Sequence, residues 1–282
     1  MPYKNKNYYL SRRNFKGKIF SSPSKLNEFL KLARTNKYSA PQLAKLFNCS
    51  KNSVLYTLYC NNVYLPNLGR FKKKYHSNEK FFDKLRPISA YWAGFIAADG
   101  TLTFKGNGVS IGLSKKDKGH LFKFKGAIQT NSPIKEVESN NSAHIGIYSK
   151  KIFTSLIELG IKPNKSLSIS HVNIPDKLMS HFIRGVFDGD GSISGDDKSH
   201  IQLCIVGNRP FLEQIQDFFA KKLQTGKTKI YPMTDCKAYR LQYTGTQIFK
   251  ILEFIYKDSG DKIRLTRKYD KFIDFKSRFK NN

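Results

Sequence analysis

The sequence predicts an α+β protein in which a small N-terminal helical domain precedes two pseudo-symmetric αββαββα halves with saddle-shaped antiparallel sheets. Three observations support this fold class. An apolar helix pattern that ends in Asp-Gly occurs twice, at Asp99 and at Asp190, 91 residues apart. Segments with alternating apolar residues, typical of strands, follow each copy. Residues 1–87 carry helical patterns and a large excess of basic charge instead.

The composition indicates a polyanionic partner. The 282 residues include 50 Lys and Arg against 21 Asp and Glu, a formal charge of +29, with 13% aromatic residues. This aromatic content favours folded structure over a disordered basic tail. Neutralisation of phosphates by Lys and Arg is the main sequence-independent term in nucleic-acid binding, so nucleic acid is the expected partner. A membrane surface is disfavoured because no amphipathic helix gathers the basic residues.

Several other classes of protein are also disfavoured. No run approaches the roughly 18 apolar residues of a membrane span, and residues 1–20 lack the apolar centre of a secretory signal. We therefore expect a soluble intracellular protein, in the cytoplasm or an organelle matrix where its nucleic acid lies. The cysteines show no CxxC pairing and no clustered His partners, which argues against a zinc site and a disulfide framework. All four are expected to be buried: Cys49, Cys60, Cys204 and Cys236.

Residues 1–61 are expected to form a basic DNA-binding domain. Residues 1–88 contain 19 Lys or Arg and three acids. In "YSAPQLAKLFNCSKNSVLYTLYCNN", apolar residues at helical spacing flank a polar break, and Ser39 and Ser50 can each cap a helix. Two short helices joined by a tight turn predict a helix-turn-helix. An ordinary helical hairpin is the alternative, and the charge excess favours DNA binding.

The second of these helices would present its first residues to base edges, as recognition helices do. The side chains concerned are Lys51, Asn52, Ser53 and Tyr56. Residues 62–87 are interpreted as a basic linker that can lie along phosphates. Its basic cluster consists of Lys72, Lys73 and Lys74.

The duplication spans the rest of the chain, with a first half at 88–175 and a second at 176–282. Aligning Asp99 with Asp190 also places Gly94 on Gly185, Ala98 on Gly189 and Gly100 on Gly191. In each copy the small residues stand four apart, so each helix has a stripe through which another backbone can come close. The two helices are therefore predicted to pack on each other.

Each acid then lies at the C-terminal end of its helix, where unsatisfied carbonyls already make the potential negative. Two carboxylates with main-chain carbonyl oxygens form a hard, oxygen-rich site for Mg²⁺ or another divalent cation such as Mn²⁺. The alternative is that Asp-Gly merely ends a helix and opens a turn. Two occurrences in register disfavour that alternative.

The segments "WAGFIAADG" and "IRGVFDGDG" resemble the two motifs of the LAGLIDADG homing endonucleases. The likeness extends from Ile88 to about Phe275 and includes "IGLSKKDKGHL", "LGIKPNKS" and "LTRKYDKF". It implies a monomer that acts as a pseudodimer, with the motif helices at the interface and two sheets in the major groove of double-stranded DNA. It also implies a double-strand break with short 3′ overhangs, one phosphodiester being hydrolysed on each strand.

The resemblance assigns roles to particular residues. Asp99 and Asp190 are the expected metal-binding acids, completed by the carbonyls of Ala98 and Gly189. The acid at the sixth motif position is Asp188 in the second copy but Ala97 in the first. This departure concerns helix packing and capping more than the metal.

Basic groups at the active centre are assigned less specifically. In the family a lysine or glutamine from each half polarises water or steadies the phosphate, and Lys115, Lys116 and Lys229 are the candidates here. Base contacts are expected from the open sheet faces. The candidates are Thr101, Thr103, Ser110, Ser114, Ser192, Ser194, Gln202, Cys204, Arg240 and Gln242.

Two other functions fit the same resemblance. One is a catalytically silent DNA-binding regulator, which retention of both acids disfavours, and the other is an RNA maturase that assists intron splicing. An intein is expected less than a free-standing or intron-encoded protein, since neither a leading nucleophile nor a terminal His-Asn pair is present.

Overall fold

The computed structural model describes residues 22–35, 37–61, 63, 75–104, 106–163, 169–195, 201–234 and 236–280. The chain divides into two compact units, residues 1–74 and 75–282. Lys72, Lys73 and Lys74 lie outside the described residues.

The first unit has three helices in its described part: α1 (Pro23–Arg34), α2 (Ala40–Leu46) and α3 (Lys51–Cys60). The backbone N–H of Ser39 donates to Gln42 Oε1 (2.8 Å), and Ser50 Oγ accepts from the N–H of Ser53 (3.0 Å), so both serines act at helix starts. Asn48 takes a left-handed conformation (φ 46°) in the turn between α2 and α3. The helices enclose their own apolar core, formed by Phe29, Leu30, Ala33, Leu43, Ala44, Val54 and Leu58.

The second unit contains the predicted duplication. The first half comprises α4 (Pro87–Asp99), β1 (Gly100–Thr103), β2 (Gly108–Ser114), α5 (Lys118–Ala127), β3 (Lys135–Val137), β4 (Ser142–Tyr148) and α6 (Lys150–Glu158). The second half comprises α7 (Asp176–Asp190), β5 (Gly191–Ser194), β6 (Gln202–Gly207), α8 (Arg209–Leu223), β7 (Ile230–Pro232), β8 (Tyr239–Thr244) and α9 (Gln247–Tyr256). Helix α10 (Thr266–Lys280) follows. The predicted αββαββα order is confirmed in both halves.

Each half contains an antiparallel four-stranded sheet, with strand orders β1-β2-β4-β3 and β5-β6-β8-β7. Buried and accessible residues alternate along the strands, as in β1, where Leu102 is buried between exposed Thr101 and Thr103. The buried face of each sheet packs on helices, and one continuous apolar core runs through both halves. The other face of each sheet is open, as alternation requires.

Part of the segment that was expected to be a linker lies within the second unit. Phe81 and Phe82 are buried in its core. The N–H of His76 donates to Asn131 Oδ1 (2.7 Å), and Ser149 Oγ donates to Glu79 Oε1 (2.9 Å). Residues 75–86 therefore belong to the body of the second unit.

The expectation that all four cysteines are buried is wrong. Cys60 and Cys236 are exposed, and Cys49 and Cys204 are half-buried. For Cys204 the reason is strand alternation, because its neighbours Leu203 and Ile205 take the buried positions of β6. None of the described helices combines the length and the apolar character needed to cross a bilayer.

Candidate metal centre and nucleic-acid interface

Helices α4 and α7 pack with their backbones in contact. A methyl group built on Gly94 would lie 2.0 Å from the carbonyl oxygen of Phe182, and one built on Gly185 would lie 2.0 Å from that of Tyr91. No side chain fits at such distances without moving a helix. The stripe of small residues thus lets the two helices bring their C-terminal ends side by side.

The two acids are the last residues of these helices. The N–H of Gly100 donates to the carbonyl of Ile96, and that of Gly191 donates to the carbonyl of Phe187. A methyl group on Gly100 would come within 2.6 Å of the Ile96 oxygen, and one on Gly191 within 2.5 Å of the Phe187 oxygen. A glycine after each acid is therefore required by close contact with the last helical turn.

Asp99 lies beside the end of the other motif helix. A methyl group on Gly189 would be 3.4 Å from Asp99 Oδ2, so the carboxylate from the first half adjoins the backbone that precedes Asp190. Asp99 is half-buried and Asp190 is exposed. Residues 99 and 190, one acid from each half, therefore stand at adjoining helix ends.

The donors at this place fit a hard divalent cation. They are carboxylate and main-chain carbonyl oxygens, which Mg²⁺ prefers. The described part of the chain has no group of three or more His, Cys, Asp or Glu side chains that could hold a metal. A cation here would therefore need carbonyl, water or phosphate oxygens in addition to the two carboxylates.

A buried lysine that the sequence analysis did not single out also reaches this centre. Lys268 Nζ donates to the carbonyl oxygens of Phe187 (2.7 Å), Gly189 (3.0 Å) and Gly191 (2.5 Å). Its side chain is only 7% exposed. Burial lowers the pKa of Lys268 to about 8, an effect that the negative charges of Asp188, Asp99 and Asp190 oppose. The ammonium group therefore offsets the negative C-terminal end of α7.

Lys268 could have been suspected from the sequence, because "LTRKYDKF" forms part of the family resemblance. Nothing in the local pattern indicates its partners, however. They are backbone carbonyls about 80 residues earlier in the chain. The Gly189 carbonyl, an expected metal ligand, already accepts one of these hydrogen bonds, which leaves its second lone pair for a cation.

Asp188, the acid that only the second motif carries, is buried and fully hydrogen-bonded. It accepts from Tyr91 Oη (2.8 Å), from Tyr256 Oη (2.7 Å) and from the backbone N–H of Leu265 (2.7 Å). Burial raises the pKa of Asp188, while these three bonds act in the opposite direction. This carboxylate is therefore held inside the protein and does not face the cation site.

The network continues into the first half through His120. Its Nε2 lies 2.8 Å from Tyr91 Oη. Tyr91 must donate its one proton to the Asp188 carboxylate, which only accepts, so His120 donates from Nε2. The ring is enclosed by Trp92 and Phe95, with centroids 4.7 Å away in each case. Burial, reinforced by nearby Lys123, lowers the pKa of His120 to about 3.

This histidine should make the protein sensitive to acid. Between pH 6.5 and about 3 the unfolded chain binds a proton at this position and the folded chain does not, so stability falls as the pH falls. The slope from one such group is at most ~1.4 kcal/mol per pH unit. His120→Phe, whose ring suits the aromatic pocket, should show a shallower fall in the free energy of unfolding, measured by urea denaturation from pH 7 to pH 4. Parallel curves for the two proteins would contradict the prediction.

The three lysines that were candidates for the active centre lie as follows. Lys115 Nζ forms ion pairs with Glu138 (2.5 Å) and Glu136 (3.3 Å). Lys116 is exposed. Lys229 is exposed beside the outermost strand β7, with its Nζ 5.4 Å from the centre of the Tyr231 ring. Lys268, in contrast, bonds directly to the residues on both sides of Asp190.

The expected base-contacting residues lie on the open sheet faces. In the first sheet Thr101 pairs with Ser110, and in the second Ser192 pairs with Cys204, which pairs with Gln242. These side chains alternate with buried ones and are accessible to a ligand. The exposed members are Thr101, Thr103, Ser114, Ser192, Ser194, Gln202 and Arg240, and the half-buried ones are Ser110, Cys204 and Gln242.

Two ring side chains on the first sheet were missed. A methyl group on Gly112 would lie 2.4 Å from His144 Nδ1, and one on Gly108 would lie 3.1 Å from Tyr148 Cε1. Each ring therefore rests on a glycine of the neighbouring strand. The alternation in "AHIGIYS" could have indicated both, because His144 and Tyr148 share the phase of the open face.

In the first unit, the N-terminal part of α3 presents the expected recognition side chains. Lys51, Asn52 and Tyr56 are exposed and Ser53 is half-buried. The opposite side of α3 contributes Val54 and Leu58 to the core of this unit. These polar residues are therefore accessible for contact with a ligand.

No protein-family model and no curated protein matches the sequence. Among solved structures, the meganuclease I-SmaMI bound to uncleaveable DNA is similar, with 17% identity and a TM-score of 0.48 over 70% of this chain and 91% of that chain. The LAGLIDADG meganuclease I-CpaMI bound to uncleaved DNA has 17% identity and a TM-score of 0.46 over 70% and 93%. Full-length DUF199/WhiA from Thermatoga maritima has 17% identity and a TM-score of 0.45 over 71% and 65%.

This likeness is one of fold.

Proposed function

We propose that this chain is a single-chain, two-motif member of the LAGLIDADG homing endonuclease family. As such, it would make a site-specific, divalent-metal-dependent double-strand break in DNA. The observation that carries this proposal is the placement of Asp99 beside Gly189, at the adjoining C-terminal ends of two helices from duplicated halves. The excess of basic charge and the two open sheet faces support duplex DNA as the substrate.

We assign the following roles to the residues of the proposed site. Asp99 and Asp190, with the carbonyls of Ala98 and Gly189, would hold divalent cations at two active centres, each acid serving the cut of one strand. A bound cation would activate water and stabilise charge on the phosphate. The ammonium charge of Lys268 would offset the negative potential at the C-terminal end of α7, beside Asp190. The open sheet faces would contact bases in the major groove, and Lys and Arg would contact phosphates.

Cleavage of a randomised DNA library by the purified full-length protein tests the proposal. With Mg²⁺ we expect one long preferred site, cut on both strands to leave short 3′ overhangs, and no cutting in EDTA. Binding of DNA without cutting in Mg²⁺ or Mn²⁺ would favour a silent DNA-binding regulator. A footprint on intron RNA without DNA cleavage would favour an RNA maturase.

The first unit is proposed to extend the recognised site as a helix-turn-helix domain, with the N-terminal part of α3 at the bases. The protein would act as a monomer wherever its target DNA lies, whether its gene is intron-encoded or free-standing.

Asn52→Ala should relax sequence preference at one end of the site, without changing the cutting of the centre.

Lys72, Lys73 and Lys74 are proposed to contact phosphates only. Each phosphate contact contributes about 0.9 to the slope of log K against log salt, so their replacement by Ala should lower the slope by up to about 3. Filter binding between 50 and 300 mM KCl measures the slope. If the triple variant changed sequence preference and kept the slope of the parent, this assignment would be wrong.

A further inference from the structure

The second motif helix carries two buried polar side chains where the first has alanine. Arg184 and Asp188 of α7 align with Ala93 and Ala97 of α4. Arg184 is fully buried and Asp188 is 1% exposed. The two stand four residues apart and so lie on the same side of α7. The duplicated halves therefore differ at the helix that positions the acids.

Both side chains hold the segment that leads into α10. Arg184 Nε donates to the carbonyl of Ile263 (2.7 Å), and its Nη1 donates to the carbonyl of Ile255 (2.5 Å). Asp188 Oδ2 accepts from the N–H of Leu265 (2.7 Å). This set of contacts between α7 and residues 255, 263 and 265 is called the α7 clamp below.

Lys268 follows the clamped segment by three residues, within the first turn of α10. Its ammonium group returns to α7 and bonds to carbonyls on both sides of Asp190. Helix α7 is therefore connected to Lys268 through the clamp, and Lys268 in turn is hydrogen-bonded to the C-terminal end of α7. A shift of the Leu265 backbone would displace the start of α10 and with it Lys268.

We infer that Asp188 is a positioning residue for the second active centre, acting through Leu265 on Lys268 and hence on the surroundings of Asp190. This inference rests on the proposed nuclease function. Ala97, at the corresponding position of the first motif helix, has no side-chain acceptor for a hydrogen bond of this kind. Cleavage of the two DNA strands therefore depends on different contacts within the protein. Loss of the clamp slows the cut that Asp190 serves more than the cut that Asp99 serves.

The acceptor, and not the charge, of Asp188 is what the clamp needs. Asn at this position keeps one oxygen, which can still accept from Leu265 and Tyr91, while its amide can donate to the hydroxyl of Tyr256. Leu has the same branched shape but no acceptor, so the Leu265 N–H loses its partner. Asp188→Asn and Asp188→Leu are therefore a matched pair.

The experiment has two readouts. Hydrogen exchange of the Leu265 amide, followed in metal-free protein, should accelerate at least tenfold in Asp188→Leu and change less than threefold in Asp188→Asn. Strand-specific cleavage of end-labelled target DNA should show a loss of at least tenfold on one strand for Asp188→Leu, with the other strand within threefold of the parent. Asp188→Asn should keep the ratio of strand rates of the parent.

Lys268→Met covers the case in which Asp188→Leu does not fold. It removes the ammonium group and leaves the clamp intact, so the same strand should slow while exchange at Leu265 stays within threefold of the parent. Equal slowing of both strands by Lys268→Met, or unchanged exchange at Leu265 in a folded Asp188→Leu, would overturn the inference. If the parent does not cut DNA at all, the nuclease proposal fails and the inference fails with it, whatever the exchange shows.

Discussion

Replacement of Asp99 or Asp190 by Asn is expected to lower the cutting rate of one strand by at least ~100-fold, because a catalytic cation supplies several kcal/mol of stabilisation. Asn keeps the shape of the side chain but removes the charge that would hold the cation. Each variant should convert supercoiled target plasmid to the nicked circle, and the double variant should leave it supercoiled. DNA affinity should stay within about threefold of the parent, since the basic contacts remain.

Asp176→Asn is the matched control for this experiment. Asp176 begins the same helix that Asp190 ends, and its side chain is 59% exposed. Its removal should leave both strand rates unchanged. If Asp99→Asn and Asp190→Asn each cut both strands at the rate of the parent, the metal assignment is wrong.

The second large effect concerns stability. Gly185→Ala should lower the free energy of unfolding by about 3 kcal/mol, because its methyl group would lie 2.0 Å from the Tyr91 carbonyl oxygen and must force α4 and α7 apart. Overpacking of this kind outweighs the gain of about 1 kcal/mol in helix propensity. Urea denaturation of the full chain, with the same denaturant slope for both proteins, gives the difference.

Gly126→Ala provides the control, because this glycine is also helical and a methyl group on it would meet nothing within 4 Å. We expect it to stabilise the protein by about 0.5 to 1 kcal/mol. Equal stability of Gly185→Ala and Gly126→Ala would mean that the motif helices do not pack backbone to backbone.

Features with a local or repeated pattern could be predicted from the sequence. Alternation along β1, β2, β5 and β6 identified the open faces, and the spacing of the duplication paired the two motif helices. The acids could be paired because the same dipeptide ends both helices. Each of these predictions depended on neighbours within one element or on comparison of one copy with the other.

Contacts between distant, dissimilar segments could not be predicted in this way. Lys268 bonds to backbone carbonyls, which every residue has, so the residue types do not indicate the contact. The partners of Asp188 come from three separate parts of the chain: α4, α9 and the segment before α10. Phe81 and Phe82 lie in a strongly basic stretch, so the charge suggested a linker although the rings are core residues.

The α7 clamp also has a consequence for protein engineering. Halves of two-motif proteins are natural units for modular exchange, and a boundary between α4 and α7 suggests itself. In this chain the second motif helix is bonded to residues 255, 263 and 265 through Arg184 and Asp188. A chimera that takes α7 from one parent and the chain around residue 265 from another would separate these partners. Grafts should therefore transfer residues 176–268 together.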